Sequence, residues 1–204
     1  MFVNQIMSKN LVTVTVDTGI LEAANLMREK NIRRLPVMED GRLVGIVTEM
    51  DILKVQPSQA TTLSVFEVNY LLAKTKVKDV MTKDPLTIPA DAPIEEAALI
   101  MREHEVGALP VLDGGKLVGI ITESNIFDAF IDLMGLKRPG SRLTIEVKDR
   151  PGILAEIGEI TEKRGVNVSS FAAYYPTDNT TVLVVRIDGT EIDQIVSDIE
   201  KLGH

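Results

Sequence analysis

The chain has 204 residues, with 22 Lys+Arg against 30 Asp+Glu for a formal net charge of −8. It contains no cysteine, two histidines (His104 and His204) and 4% aromatic residues, which excludes disulfides, thiolate metal sites, cysteine nucleophiles, a three-histidine metal centre and a stacking platform for single-stranded nucleic acid. The acidic balance disfavours phosphate-backbone binding, no apolar run reaches the ~18 residues of a membrane span, and the first residues do not read as a signal peptide, so the expectation is a cytoplasmic protein that engages neither nucleic acid nor membrane and holds no metal.

Along the chain, residues 12–16 form a short predicted strand, followed by Asp17 and Thr18, which suit a helix cap. A helix follows with Ile20, Ala23, Ala24 and Met27 on one face. Residues 35–38 and 43–47 flank Asp40-Gly41 as a hairpin, and a second helix starts at Thr48 and runs to about Lys54. A polar linker at 56–62 leads into a predicted amphipathic helix over 63–74, with Leu63, Phe66 and Tyr70 on one side. That helix reads either as a dimer contact or as a connector covering the edge of a core.

The first series then returns. Residues 3–54 align with 77–128 at an offset of 74 without a gap, and 23 of the 52 positions are identical. Agreement of MRE, LPV and LVGI-x-TE at fixed offsets marks a duplication. The second helix face is Ile94, Ala97, Ala98 and Met101, with Pro93 in its first turn. Each copy reads β-α-β-β-α and needs the other to close a core. His104 stands where copy one has Lys30 and reads as surface.

Residues 135–140 read as a linker, and no third copy follows. Residues 142–147 alternate as a strand, Asp149-Arg150-Pro151-Gly152 turns into a helix over 153–164, and Gly165 ends it before a strand through Tyr175. A turn at 176–179, a strand over 180–188 and a helix over 191–202 complete a second β-α-β-β-α order. The formal charge is −6 over residues 1–136 and −2 over the remainder.

In each copy LPV, a hairpin and then Gly-hydrophobic-x-Thr-x-x-Asp/Asn occur in order: Gly45, Thr48 and Asp51 in the first, Gly119, Thr122 and Asn125 in the second. With the opening Val77, Val80, Met81, Thr82 and Asp84, this resembles the tandem cystathionine-beta-synthase (CBS) domain pair, or Bateman module, with repeats at 1–55 and 77–134 and a linker with a helix at 56–76. The resemblance implies an adenosine-containing ligand between the copies, held through the ribose by Asp51 and at phosphate by Thr48. Thr122 and Asn125 are the second-copy counterparts. Thr13, Leu35 and Pro36 match positions whose strands line the adenine pocket, Thr87 of the second copy is a further ligand candidate, and Arg33 or Arg34 is placed near phosphate. A carboxylate accepts from two vicinal hydroxyls, and a helix start with a hydroxyl suits an anion. Two plainer readings stand beside these: Thr-x-x-Asp is also a capping-box variant, and the arginine pair also reads as a solvated charge run.

Asp149, Arg150, Pro151, Gly152 and Leu154, followed by Gly165-Val166-Asn167-Val168, make residues 141–204 similar to an ACT domain of the ferredoxin-like type. This implies an amino-acid site at Asp149, Pro151, Gly152, Ile153 and Leu154, with Asn167 contributing from a partner chain. Four strands are expected of such a fold and three are readable, so the module is either short or truncated. Many members only dimerise. Tandem CBS repeats followed by ACT resemble acetoin-utilisation B-type regulatory proteins of bacteria.

The expected fold is α+β: a Bateman module plus a ferredoxin-like domain. The expected function is non-enzymatic sensing, with adenine nucleotide as a regulatory ligand, no required cofactor, a homodimer, and a downstream protein partner. No P-loop, no Gly-x-Gly-x-x-Gly after a strand, no His-Glu-x-x-His and no EF-hand loop is present. A ligand-free dimerisation scaffold, or a regulatory subunit of a partner enzyme or transporter, is the alternative.

Overall fold

The structure, a computed structural model, describes residues 1–55, 64–148, 150–177, 180–189 and 192–201. Two compact units divide it, Met1–Ile126 and Phe127–His204. Its mixed α+β class is the expected one. Among the described residues no helix is long and apolar enough to cross a membrane.

In the first unit, α1 (Val3–Ile6) precedes β1 (Val14–Thr15), α2 (Ile20–Lys30), β2 (Arg34–Glu39), β3 (Arg42–Thr48) and α3 (Glu49–Lys54). After α4 (Val65–Lys74) the series repeats as α5 (Val77–Val80), β4 (Thr82–Lys83), β5 (Ile88–Pro89), α6 (Ile94–Glu103), β6 (Ala108–Asp113), β7 (Lys116–Thr122) and α7 (Glu123–Leu133), the last crossing into the second unit. One sheet runs β1-β2-β3-β4 and another β5-β6-β7. In each, a parallel pair feeds an antiparallel hairpin, with Val14 opposite Val37 and Ile88 opposite Val111. The hairpins share their register: Leu35 faces Val47, and Leu109 faces Ile121. The equivalent strands β3 and β7 lie against each other.

Each repeat lends its opening segment to the other. Val3 is fully buried in the core of the second repeat, with Ile88, Leu109 and Ile121, while Val77 is fully buried in that of the first, with Ile20, Leu35 and Val47. Backbone bonds follow the exchange. Val3 N donates to Ala92 O (2.9 Å), Ser8 and Ile120 exchange bonds of 2.9 and 3.1 Å, and Val77 N donates to Thr18 O (2.8 Å). The glycine of each hairpin accommodates the crossing. A Cβ on Gly119 would meet Met7 Sδ at 2.3 Å and Cγ at 2.9 Å, and one on Gly45 would meet Met81 Sδ at 2.5 Å. Overpacking of this kind costs about 1–3 kcal/mol, so Gly119→Ala is expected to lower the unfolding free energy by that amount, read by urea titration of the hairpin signal.

Several local expectations change. Helix α2 is capped by Gly19, without a side-chain cap, in place of Asp17 or Thr18. The Thr18 hydroxyl instead accepts from Thr15 N at 3.1 Å. Pro93 is the N-cap of α6, one position ahead of the first turn. On α4, Phe66 and Tyr70 are exposed, and Leu72 packs against the first repeat's core, so the predicted apolar face is not the face that covers that core. Leu63 lies outside the described residues.

The second unit contains β8 (Ser141–Lys148), α8 (Ile153–Lys163), β9 (Val168–Thr177), β10 (Thr180–Ile187) and α9 (Asp193–Glu200). The antiparallel sheet runs β8-β10-β9. On β8, Leu143, Ile145 and Val147 alternate inward and join Ile153, Ile157 and Ile160 of α8 and Ile195 and Ile199 of α9 in one core. Among the described residues the sheet has three strands.

Candidate functional site

The Gly-x-x-Thr-x-x-Asp segment folds as the end of a strand turning into a short helix. Thr48 closes β3 and caps α3. Asp51 Oδ2 accepts from Thr48 N at 2.9 Å and from Thr48 Oγ1 at 2.7 Å, while Asp51 N donates back to Thr48 Oγ1 at 3.2 Å. This is the reciprocal capping box that the spacing allows. Both bonds to the carboxylate use Oδ2. A carboxylate offers four lone-pair sites, so Oδ1 keeps its capacity to accept. Repeat two copies the geometry: Asn125 Oδ1 accepts from Thr122 N at 2.9 Å and Oγ1 at 2.8 Å, and Asn125 N donates to Thr122 Oγ1 at 3.3 Å.

Thr48 and Asp51 line a cleft of about 530 Å³ between the repeats. Repeat one supplies Ile46 and Arg34 to the same wall. The rest of the lining is Thr82, Asp84, Pro85 and Leu86 and the turn from His104 to Ala108. Thr82 sits there because it pairs with Ile46 across β3 and β4, and Asp84, two residues on, lines the same cleft. Arg34 spans the repeats, its Nη1 donating to Gly107 O. Burial pushes the Arg34 guanidinium below its ordinary pKa, Glu123 opposes that shift, and Arg33 adds to it. Glycine at 107 permits this crossing, since a Cβ there would lie 3.0 Å from Glu123 Oε2 and 3.3 Å from Arg34 Nη2.

Thr48, Asp51 and Arg34 are therefore brought together, and other candidates are placed elsewhere. Arg33 is exposed and lines a separate hollow of about 290 Å³ with Arg28 and Asn31, outside the cleft. Leu35 is wholly buried in the repeat-one core, and Pro36 is buried beside it. Thr13 is exposed ahead of β1. Thr87 lines a hollow of about 380 Å³ with Arg42, which shares Asp84 and Pro85 with the main cleft. Thr122 and Asn125 lie outside the Asp51 cleft. Asp84, Glu105 and His104 line it without having been singled out as ligands; His104, read as surface, is exposed and still faces the cleft.

In the second unit Gly152, at φ 93, is the N-cap of α8. Pro151, Gly152 and Leu154 are exposed, while the Ile153 side chain is committed to the core. Arg150 forms a two-pronged ion pair with Glu156, at 2.7 and 2.6 Å. Asn167 Nδ2 donates to Asp188 Oδ2 at 3.1 Å. Asp149 lies outside the described residues.

The CBS domain model matches residues 3–58 and 77–132, and the ACT domain model matches residues 141–204. A CBS domain-containing protein of Dictyostelium discoideum is 37% identical over 134 residues, 65% of this chain and 92% of that one. An inosine-5′-monophosphate dehydrogenase of Korarchaeum cryptofilum is 36% identical over 120 residues, 58% of this chain but 22% of the enzyme. Among solved structures, CBSX2 of Arabidopsis thaliana in complex with AMP aligns with a TM-score of 0.55 and 32% identity, covering 67% of this chain and 99% of that one. The CBS domain pair of protein MJ0100, in complex with 5′-methylthioadenosine and S-adenosyl-L-methionine, gives 0.53 and 30%, covering 64% and 99%. The Vibrio cholerae candidate for the acetoin utilization protein AcuB gives 0.56 and 30%, covering 67% and 95%. The chain belongs to the CBS domain family, with two CBS repeats followed by an ACT domain.

Proposed function

We propose that this chain is a non-enzymatic regulatory protein that binds an adenosine-containing ligand in the cleft between its CBS repeats and transmits occupancy to a partner protein. The carrying observation is the Thr48–Asp51 corner, with a carboxylate oxygen still able to accept, set in a cleft of about 530 Å³. That volume lies within the range of small-molecule sites, roughly 300–1,000 Å³. Asp51 Oδ1 would take the ribose hydroxyls, and Thr48 with Arg34 would border the 5′ end. CBS pairs that carry AMP, or S-adenosyl-L-methionine and 5′-methylthioadenosine, support the ligand class. The dehydrogenase match covers a small part of that enzyme, so its activity is not carried over. The ACT unit serves as a dimer contact or an amino-acid sensor, and the working form is a cytoplasmic homodimer.

A ligand-free scaffold is the second reading, favoured by the exposed Phe66 and Tyr70 on α4 and by an Asp51 already engaged as a cap. Thermal unfolding with AMP, ADP, ATP, S-adenosylmethionine and a set of amino acids separates the two. A ligand at 100 times its Kd stabilises by about 2.7 kcal/mol, a shift of roughly 5–10 °C in a unit of this size. A shift with an adenosine compound is expected. None from any of them favours the scaffold, and a shift with amino acids alone moves sensing to the ACT unit.

A further inference from the structure

The Asp51 cleft carries three carboxylates, Asp51, Asp84 and Glu105. The 74-residue offset sets Asn125, Asn10 and Asn31 opposite them. Each carboxylate of this cleft is thus a carboxamide in the other repeat, able to accept hydrogen bonds but uncharged. Backbone conformation gives no reason for the charge. Glu105 and its counterpart Asn31 both sit in the left-handed region, at φ 54 and φ 51. Asparagine tolerates that region, whereas glutamate does so at a cost. Asp84 also has positive φ, 47. Arg34 lines the same cleft and offsets one of the three charges, leaving an excess of two, and its Nη1 is already engaged by the Gly107 carbonyl.

Resting on the adenosine reading above, we propose that the Asp51 cleft selects its ligand by the charge of the 5′ substituent. It takes an adenosine carrying an uncharged or cationic group, a thioether or a sulfonium-ammonium chain, and disfavours a polyphosphate. A cleft whose lining carries an excess of one sign of charge focuses its field on the occupant. A phosphate chain leaving the ribose at Asp51 meets Asp84 and Glu105 as like charges, stripped of part of the water that would screen them. A sulfonium in the same place gains from both carboxylates, and a thioether avoids the repulsion.

The test is calorimetric titration of the full chain with S-adenosylmethionine, 5′-methylthioadenosine, AMP and ATP at low salt, with EDTA and separately with magnesium. Each titration is repeated on Asp51→Ala, so that the affinity lost with Asp51 is assigned to this cleft. The thioether and sulfonium ligands are expected to bind at least roughly tenfold more tightly than ATP, and the gap is expected to narrow as ionic strength rises past about 0.15 M. The double variant Asp84→Asn/Glu105→Asn, which copies the sister repeat, is expected to close the gap by improving ATP affinity while its melting temperature holds or rises. AMP or ATP binding more tightly than both other ligands, with or without magnesium, overturns the charge selection and leaves the adenosine reading standing. No binding by any of the four overturns that reading, and this inference with it.

Discussion

Asp51→Ala is expected to lower the affinity for the adenosine ligand by roughly 10- to 150-fold, since a hydrogen bond to a charged group contributes about 1.5–3 kcal/mol and each 1.4 kcal/mol is tenfold. The same substitution removes the acceptor of two bonds from Thr48, at 2.9 and 2.7 Å, and loss of a cap costs about 1 kcal/mol of stability. Two further variants separate binding from capping. Asp51→Asn reproduces what Asn125 already does in repeat two, where the amide oxygen accepts from Thr122 N and Oγ1. It should therefore keep the melting temperature and weaken binding, through loss of charge assistance. Asn125→Ala should lose a comparable amount of stability and leave ligand affinity at the Asp51 cleft within about twofold. Titration calorimetry and thermal unfolding of the three variants read both quantities. If Asp51→Ala melts earlier yet binds as before, the residue is a cap alone.

How much of this was legible in the sequence depends on whether the signal was local. The duplication, the hairpin at Asp40-Gly41 and the Thr48–Asp51 box are set by neighbours a few residues apart, and the backbone follows them. The order of elements in the ACT unit was readable for the same reason: Leu143, Ile145 and Val147 alternate, and Ile153, Ile157 and Ile160 share a helix face. Choices between competing partners were not readable. Thr18 had a cap role open to it and a closer donor in Thr15 N, and the latter won. Arg33 and Arg34 are adjacent, and only the structure shows Arg34 in the cleft and Arg33 on another hollow. Asp84, His104 and Glu105 sit in turns without periodicity, so no pattern announced that they converge. The charges of Asp84 and Glu105 are nonetheless a sequence property, since the 74-residue repeat pairs them with Asn10 and Asn31.

The exchange of opening segments was the least legible feature, because Val3 and Val77 are equivalent and either core accepts a valine. It yields an expectation opposite to the one that chain order suggests. Val3→Ala should damage the second repeat, whose core Val3 completes, and not the repeat it precedes. Deleting fully buried methyl groups costs about 2–3 kcal/mol. Native-state amide exchange reports such losses as sub-global opening. Protection should therefore fall across Ala108–Asp113 and Lys116–Thr122 while Arg34–Glu39 and Arg42–Thr48 keep theirs, and Val77→Ala should give the mirror image. Loss confined to Arg34–Thr48 in Val3→Ala would falsify the exchange. The second half of the experiment bears on the cleft as well. Val77 anchors the segment that lays Thr82 on Ile46 and brings Asp84 into the lining of the Asp51 cleft, so Val77→Ala should also weaken ligand binding, whereas Val3→Ala, which loosens the sister segment at Ser8 and Ile120, should weaken it less. Closing the first repeat's core and building the Asp51 cleft are on this account one event, carried by a segment that belongs in sequence to the second repeat.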